Sequence, residues 1–176
     1  MIFDWRLGPE IPGIEVPRRL YCVATQPAPL AGMSRPRPGT PWSTLAAAGF
    51  RWIVCLENEA PDYDPSPLER LLCVEMEDLP CECEGPPRDP ERERALIKRA
   101  VNATIERLMA GEGTIVHCWG GSGRTGVVLG CVLRWLGHPG DEIVRHLRLL
   151  QQQRGKSVWH ERAWQADLIL TFQSDR

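Results

Sequence analysis

Residues 117–126 read HCWGGSGRTG, and no other stretch constrains the chain as much. Immediately before it, positions 114–116 are Thr, Ile and Val, the β-branched composition of a short buried strand. Immediately after it, positions 127–136 read VVLGCVLRWL, mostly apolar and long enough for a helix. The glycine-rich segment is therefore expected to be a loop joining the end of a strand to the start of a helix. Such a place attracts anions, because unpaired backbone N–H groups project from the helix start and the helix dipole adds positive potential. Gly120, Gly121 and Gly123 let the loop curl until successive N–H groups face one centre.

Two side chains would turn an anion site into a reactive one. Cys118 falls at the end of the strand, where the amides, the dipole and Arg124 all favour the nucleophilic thiolate. Arg124 follows six residues later, so a folded-back loop can set its guanidinium beside the sulfur. Its planar fork suits two oxygens of a phosphate. Trp119, Gly120, Gly121, Ser122, Gly123 and Arg124 are thus the expected phosphate cradle, and Cys118 the group placed to attack phosphorus.

Cys-x5-Arg, preceded by His117 and followed by Thr125-Gly126, resembles the signature of the cysteine-dependent protein tyrosine phosphatases. The Gly-Gly-x-Gly-Arg-Thr-Gly form is most similar to the small dual-specificity and the bacterial or archaeal members. The resemblance implies a phosphomonoesterase acting on phosphotyrosine, with phosphoserine and phosphothreonine as further substrates, through a phosphocysteine intermediate and with no metal or cofactor. It also implies an Asp on a separate loop that serves as acid and then as base. Residues 76–79, Met-Glu-Asp-Leu, follow a strand-like run and resemble that segment, which assigns the role to Asp78. The proline-ended loop that follows carries extra residues here, and Glu82 and Glu84 within it compete for the same role. Thr125 is expected to hydrogen-bond the Cys118 sulfur, as in the family, or to cap the following helix. His117 is expected to order the loop through backbone hydrogen bonds. Gln165 falls near a water-orienting glutamine of some relatives but reads more simply as a surface residue of a helix.

Two other functions compete. One is a phosphatase for a non-protein substrate: a phosphoinositide, an inositol phosphate or an RNA 5′-triphosphate. Relatives acting on inositol lipids tend to carry Lys inside the loop, and residues 119–123 add no cation, which argues for a singly phosphorylated group. The other is a module that binds a phosphorylated residue without turnover, against which the presence of both Cys118 and Arg124 weighs.

At 176 residues the chain is expected to form an irregular arm over 1–19 and a single catalytic domain over 20–176, working as a monomer on a phosphorylated protein or peptide. A net charge of −2 gives no reason to expect nucleic acid or an anionic membrane as a partner. No apolar run approaches the roughly 20 residues that span a bilayer. The first six residues carry no basic start followed by an apolar stretch, so no signal peptide is expected and the cytoplasm is the expected location. Seven cysteines, one of them reactive, suit a reducing compartment. Cys22, Cys55, Cys73 and Cys131 sit in apolar runs and read as small core residues. Cys81 and Cys83 read first as loop residues, with a resolving thiol for oxidised Cys118 and half of a metal site as the alternatives.

Along the chain, strands are expected over 20–24, 50–56, 71–76 and 114–116, with 26–41 an extended proline-rich loop. Helices are expected from Pro41 to Ala48 behind a Thr40 cap, from Pro90 to about Gly111 behind an Asp89 cap, over 127–136, over 142–153 and over 158–172. Alternating strands and helices predict a three-layer α/β sandwich, with a mainly parallel central sheet and helices on both faces. Ligands of such sheets sit beyond the carboxyl ends of the strands, where the glycine-rich loop begins.

Overall fold

A computed structural model of the chain describes residues 10–79, 85–156 and 163–173. Five strands form one sheet in the order β1-β2-β5-β3-β4. They are β1 (Leu20–Ala24), β2 (Leu30–Ser34), β3 (Phe50–Cys55), β4 (Glu69–Cys73) and β5 (Gly113–Cys118). β1 pairs antiparallel with β2, and the other three pairings are parallel. The central strand is β5, buried at all six positions between β2 and β3. Its last residue, Cys118, is level with Ser34 of β2.

Side chains alternate across the sheet. Val116 and Cys118 face a large core under α2 (Pro90–Met109), α3 (Gly123–Trp135), α4 (Gly140–Gln153) and α5 (Ala163–Thr171). Ile115 faces a smaller core closed by α1 (Trp42–Ala47) through Leu45. α2 buries one face at helical spacing, through Ile97, Ala100, Val101 and Leu108. Asp89 caps that helix by accepting from the Arg92 N–H at 3.0 Å, with Pro90 at its start.

Three local expectations change. The proline-rich stretch contains a whole strand, β2, between Pro29 and Pro36. Gly32 at its centre hid it, since glycine is a poor strand former. Here glycine is required: a Cβ at Gly32 would lie 2.4 Å from the Tyr21 ring on β1. Thr40 does not cap α1, whose first flanking residue is Pro41, because its hydroxyl is bonded to the Arg37 carbonyl at 2.7 Å. Gln165 is buried rather than on the surface. Cys22, Cys55 and Cys131 are buried, and Cys73 is half-buried. Phe3 and Trp5 of the arm, the inserted residues Cys81, Glu82, Cys83 and Glu84, and the expected helix start at 158 all lie outside the described residues.

Candidate active site

β5 delivers Cys118 to the carboxyl edge of the sheet, and α3 starts at Gly123, so residues 119–122 make the turn between them. The loop carbonyls show which way its amides face. The Trp119 carbonyl accepts from the Arg35 N–H at 3.0 Å. The Gly120 carbonyl accepts from Ser34 Oγ at 3.1 Å and from Arg154 Nη2 at 3.2 Å. The Gly121 carbonyl accepts from Tyr21 Oη at 2.8 Å and from Arg154 Nη1 at 2.5 Å. In a trans peptide the N–H points opposite to the C=O. Three carbonyls held outward therefore turn the amides of Gly120, Gly121 and Ser122 inward, toward the start of α3. Among the loop glycines, Gly121 has a positive φ, +63°. A Cβ there would lie 2.3 Å from the Met33 carbonyl oxygen, so both torsion and space demand glycine.

Arg154 was not read from the sequence as a site residue, yet it holds this shape. It is buried at the end of α4, donates to both loop carbonyls and to Ser34 Oγ, and lies over the Tyr21 ring at 4.5 Å. Each of its hydrogen bonds to oxygen is to a neutral acceptor: Pro17, Arg18 and loop carbonyls, Gln151 and Ser34. The guanidinium keeps its charge close behind the loop, with no carboxylate paired to it among the described residues.

The side chains of the motif converge. The Thr125 hydroxyl donates to Cys118 Sγ at 3.1 Å, and both groups are buried. Ser122 flanks α3 without a side-chain cap, so the helix start keeps its free donors. Arg124 is buried, donates from Nη1 to the Met76 carbonyl at 3.3 Å, and meets Asp78 Oδ2 through Nη2 at 3.3 Å. Its Nε is buried with no partner among the described residues. Two contacts thus aim one edge of the guanidinium and leave another donor to spare. The Asp78 side chain is 62% exposed, in a small cleft with Glu57, Glu75, Glu77 and Arg92. Burial pushes the Glu57 carboxyl above the usual carboxylate range, although Arg35 pairs with it at 3.4 Å. Trp119 stands 64% exposed at the rim, with the Arg35 guanidinium 5.2 Å from its ring centre.

His117 is buried on β5, and its Nε2 shares a 2.5 Å hydrogen bond with the Tyr63 hydroxyl, a partner no local pattern announced. Burial, aided by the charges of Arg35 and Arg124, lowers its pKa from 6.5 to about 3, so the ring is neutral at ordinary pH. The unfolded chain takes a proton here below about pH 6.5 and the folded chain does not until about pH 3. Stability present above that range is therefore lost as pH falls through it. We expect about 2 kcal/mol to disappear between about pH 7 and pH 5 from this group alone. Denaturant unfolding of His117→Gln should show a lower stability but a shallower decline over the same interval. An unchanged slope would remove His117 as the cause.

The chain matches a family model described as "PTP-SAK: Swiss Army Knife protein, DSP-PTPase phosphatase domain" over residues 19–166. It belongs to that family, and with it to the cysteine-based phosphatase superfamily of dual-specificity type. Solved structures of the same fold include a point variant of human DUSP28, 18% identical with a TM-score of 0.57, the match covering 80% of this chain and 88% of that one. PTPMT1 in complex with PI(5)P is 13% identical with a TM-score of 0.57, over 81% and 88% of the two chains. Tk-PTP in the active form is 19% identical with a TM-score of 0.52, over 80% and 90%. No curated protein matches the sequence. No described helix is long and apolar enough to cross a membrane.

Proposed function

We propose that this phosphatase domain hydrolyses phosphate monoesters through a phosphocysteine at Cys118. The observation that carries the reading is the convergence on one sulfur of the Thr125 hydroxyl, the inward-turned loop amides and the start of α3, with Arg124 beside the loop. The ester phosphate sits on the amides of residues 119–124 and on the Arg124 guanidinium. The thiolate attacks phosphorus, an S–P bond forms, and the ester O–P bond breaks. Asp78 gives its proton to the leaving oxygen and then takes one from the water that attacks the phosphocysteine. The S–P bond breaks, inorganic phosphate departs, and the Thr125 hydroxyl stabilises the returning thiolate.

Phosphotyrosine, with phosphoserine and phosphothreonine beside it, is the protein-directed reading, and a phosphorylated protein or peptide working with a monomeric enzyme in the cytoplasm is its natural setting. The exposed Trp119 ring at the rim supports it, since it offers an aryl ester a surface to stack on. A non-protein substrate with several phosphates is the second reading, and the cations gathered around the site favour it. One of the neighbouring folds was crystallised with a phosphoinositide.

The test is to quench a reaction with p-nitrophenyl phosphate in acid within milliseconds and map the peptides. A phosphoryl group on the peptide containing Cys118, present during turnover and absent from Cys118→Ser, is the expected result. Turnover with no labelled cysteine peptide would reject the covalent mechanism.

A further inference from the structure

Two walls of opposite charge flank the loop. On one side Glu57, Glu75, Glu77 and Asp78 surround Arg92 and Arg124. On the other a recess of about 460 Å³ opens beside Trp119 and Gly120, lined by Arg18, Arg19, Arg35, Arg37, Arg154 and Lys156 and, among the described residues, by no carboxylate. These cations come from three separate places: the approach to β1, the exit from β2 and the end of α4. Three of them are already committed, Arg154 to the loop carbonyls, Arg35 to Glu57 and Asp62, and Arg18 to Glu15 at 3.8 Å. Arg37 and Lys156 have no side-chain hydrogen bond or ion pair among the described residues. Arg19 donates to the Arg35 carbonyl, and no carboxylate lies within ion-pair distance of it among the described residues.

Cations crowded into a partly dry recess repel one another. Burial lowers the pKa of Arg19, and the nearby charges of Arg37 and Arg154 lower it further against the opposing pull of Glu15. Burial acts in the same direction on Lys156, with Arg154 as the next cause. An anion in the recess would relieve this repulsion. A ligand carrying several negative charges is also turned away from the opposite wall, where carboxylates outnumber the guanidiniums.

Resting on the reading of the Cys118 loop as the catalytic centre, we infer that the recess is a subsite for a second phosphoryl group and that the substrate is a small, multiply phosphorylated molecule. One phosphate occupies the loop and another lies among Arg19, Arg37 and Lys156. Trp119 and Gly120 belong to both the loop and the recess, so the two phosphates are close neighbours on a compact scaffold. A rigid polyol ring sets that spacing without the ordering cost of a flexible peptide. The chemistry is shared by a free polyphosphorylated polyol and a lipid headgroup of the same kind.

The experiment is inhibition of p-nitrophenyl phosphate hydrolysis by orthophosphate and by inositol hexakisphosphate, in the wild type and in Arg37→Glu/Lys156→Glu. Inositol hexakisphosphate should inhibit the wild type far more strongly than orthophosphate. The ratio of the two inhibition constants should shrink at least about tenfold in the double variant, a change of about 1.4 kcal/mol. Arg37→Gln/Lys156→Gln, in which neither charge is reversed, should shrink it less, and thermal midpoints check that both variants are folded. Soluble headgroup against vesicles containing a phosphatidylinositol bisphosphate separates the two sources, and a charge-dependent preference for either supports the subsite. Equal inhibition by the two anions in the wild type would overturn it, as would a ratio indifferent to both variants. Loss of affinity confined to a doubly phosphorylated peptide, with inositol hexakisphosphate unaffected, would overturn it too. Calorimetric binding of inositol hexakisphosphate requires no turnover. A wild type that hydrolyses nothing but binds through Arg37 and Lys156 would therefore defeat the catalytic reading while leaving the subsite standing.

Discussion

Cys118→Ser should reduce hydrolysis of any phosphate ester to the level of buffer while leaving orthophosphate or vanadate binding largely in place. The two outcomes separate because different groups supply them. The sulfur supplies attack, whereas the amides turned inward by the outward carbonyls of residues 119–121, together with Arg124, supply binding. A hydroxyl at this position keeps the hydrogen bond to Thr125 but is a weak nucleophile with no base beside it. His117, the adjacent imidazole, is bonded to Tyr63 and buried, and cannot serve as that base. Arg124→Lys should fail in another way. An ammonium cannot reach the Met76 carbonyl, Asp78 and a phosphate with the fixed fork of a guanidinium, so both affinity and rate should fall, the rate on the order of 10²–10³-fold. Steady-state kinetics beside equilibrium vanadate binding checks both variants. Clear turnover by Cys118→Ser would remove the covalent route.

Asp78→Asn should slow hydrolysis of alkyl and peptide phosphates by roughly 10²–10⁴-fold, the usual worth of a positioned general acid. The loss should shrink for p-nitrophenyl phosphate, whose leaving group needs less help. In the described structure Asp78 rests 3.3 Å from Arg124. A phosphate arriving on Arg124 competes for that guanidinium and leaves the carboxyl next to the ester oxygen. If Asp78 is the proton donor, as proposed, the alkaline limb of the wild-type pH–rate profile should flatten in Asp78→Asn. Glu82 and Glu84 make this a real contest, because they follow closely on Asp78 in the sequence. If Glu82→Gln or Glu84→Gln flattens the limb and Asp78→Asn leaves it sloping, the acid belongs to the inserted loop.

The parts of this molecule that were legible in its sequence are those whose cause is local. The strand, glycine loop and helix around Cys118 could be read because β-branching, glycine and apolar runs act over a few residues, and Asp89-Pro90 announced α2 for the same reason. What escaped depends on distant partners. β2 is a strand because β1 and β5 flank it, despite its glycine and the prolines around it. Tyr21 meets the loop across 100 residues, Arg154 across 33, and Tyr63 meets His117 across 54. Residues 119–123 themselves carry no cation, and the cations beside the loop come from strand approaches and a helix end that no local window contains. Gln165, expected at the surface, is covered by the packing of α5 on the core.

The tie between Arg154 and the loop also bears on when the site comes into being. A ribosome finishes the motif at residue 126 and must still add the rest of α3 and the whole of α4 before the guanidinium that braces the Gly120 and Gly121 carbonyls exists. Until then Ser34 and Tyr21 are the side chains that can hold those carbonyls outward, and the inward set of the amides lacks one of its restraints. The nascent chain thus carries Cys118 and its loop for some thirty residues of synthesis before the Arg154 brace has been made. The shape of the loop is in this way tied to a helix that follows it in the chain.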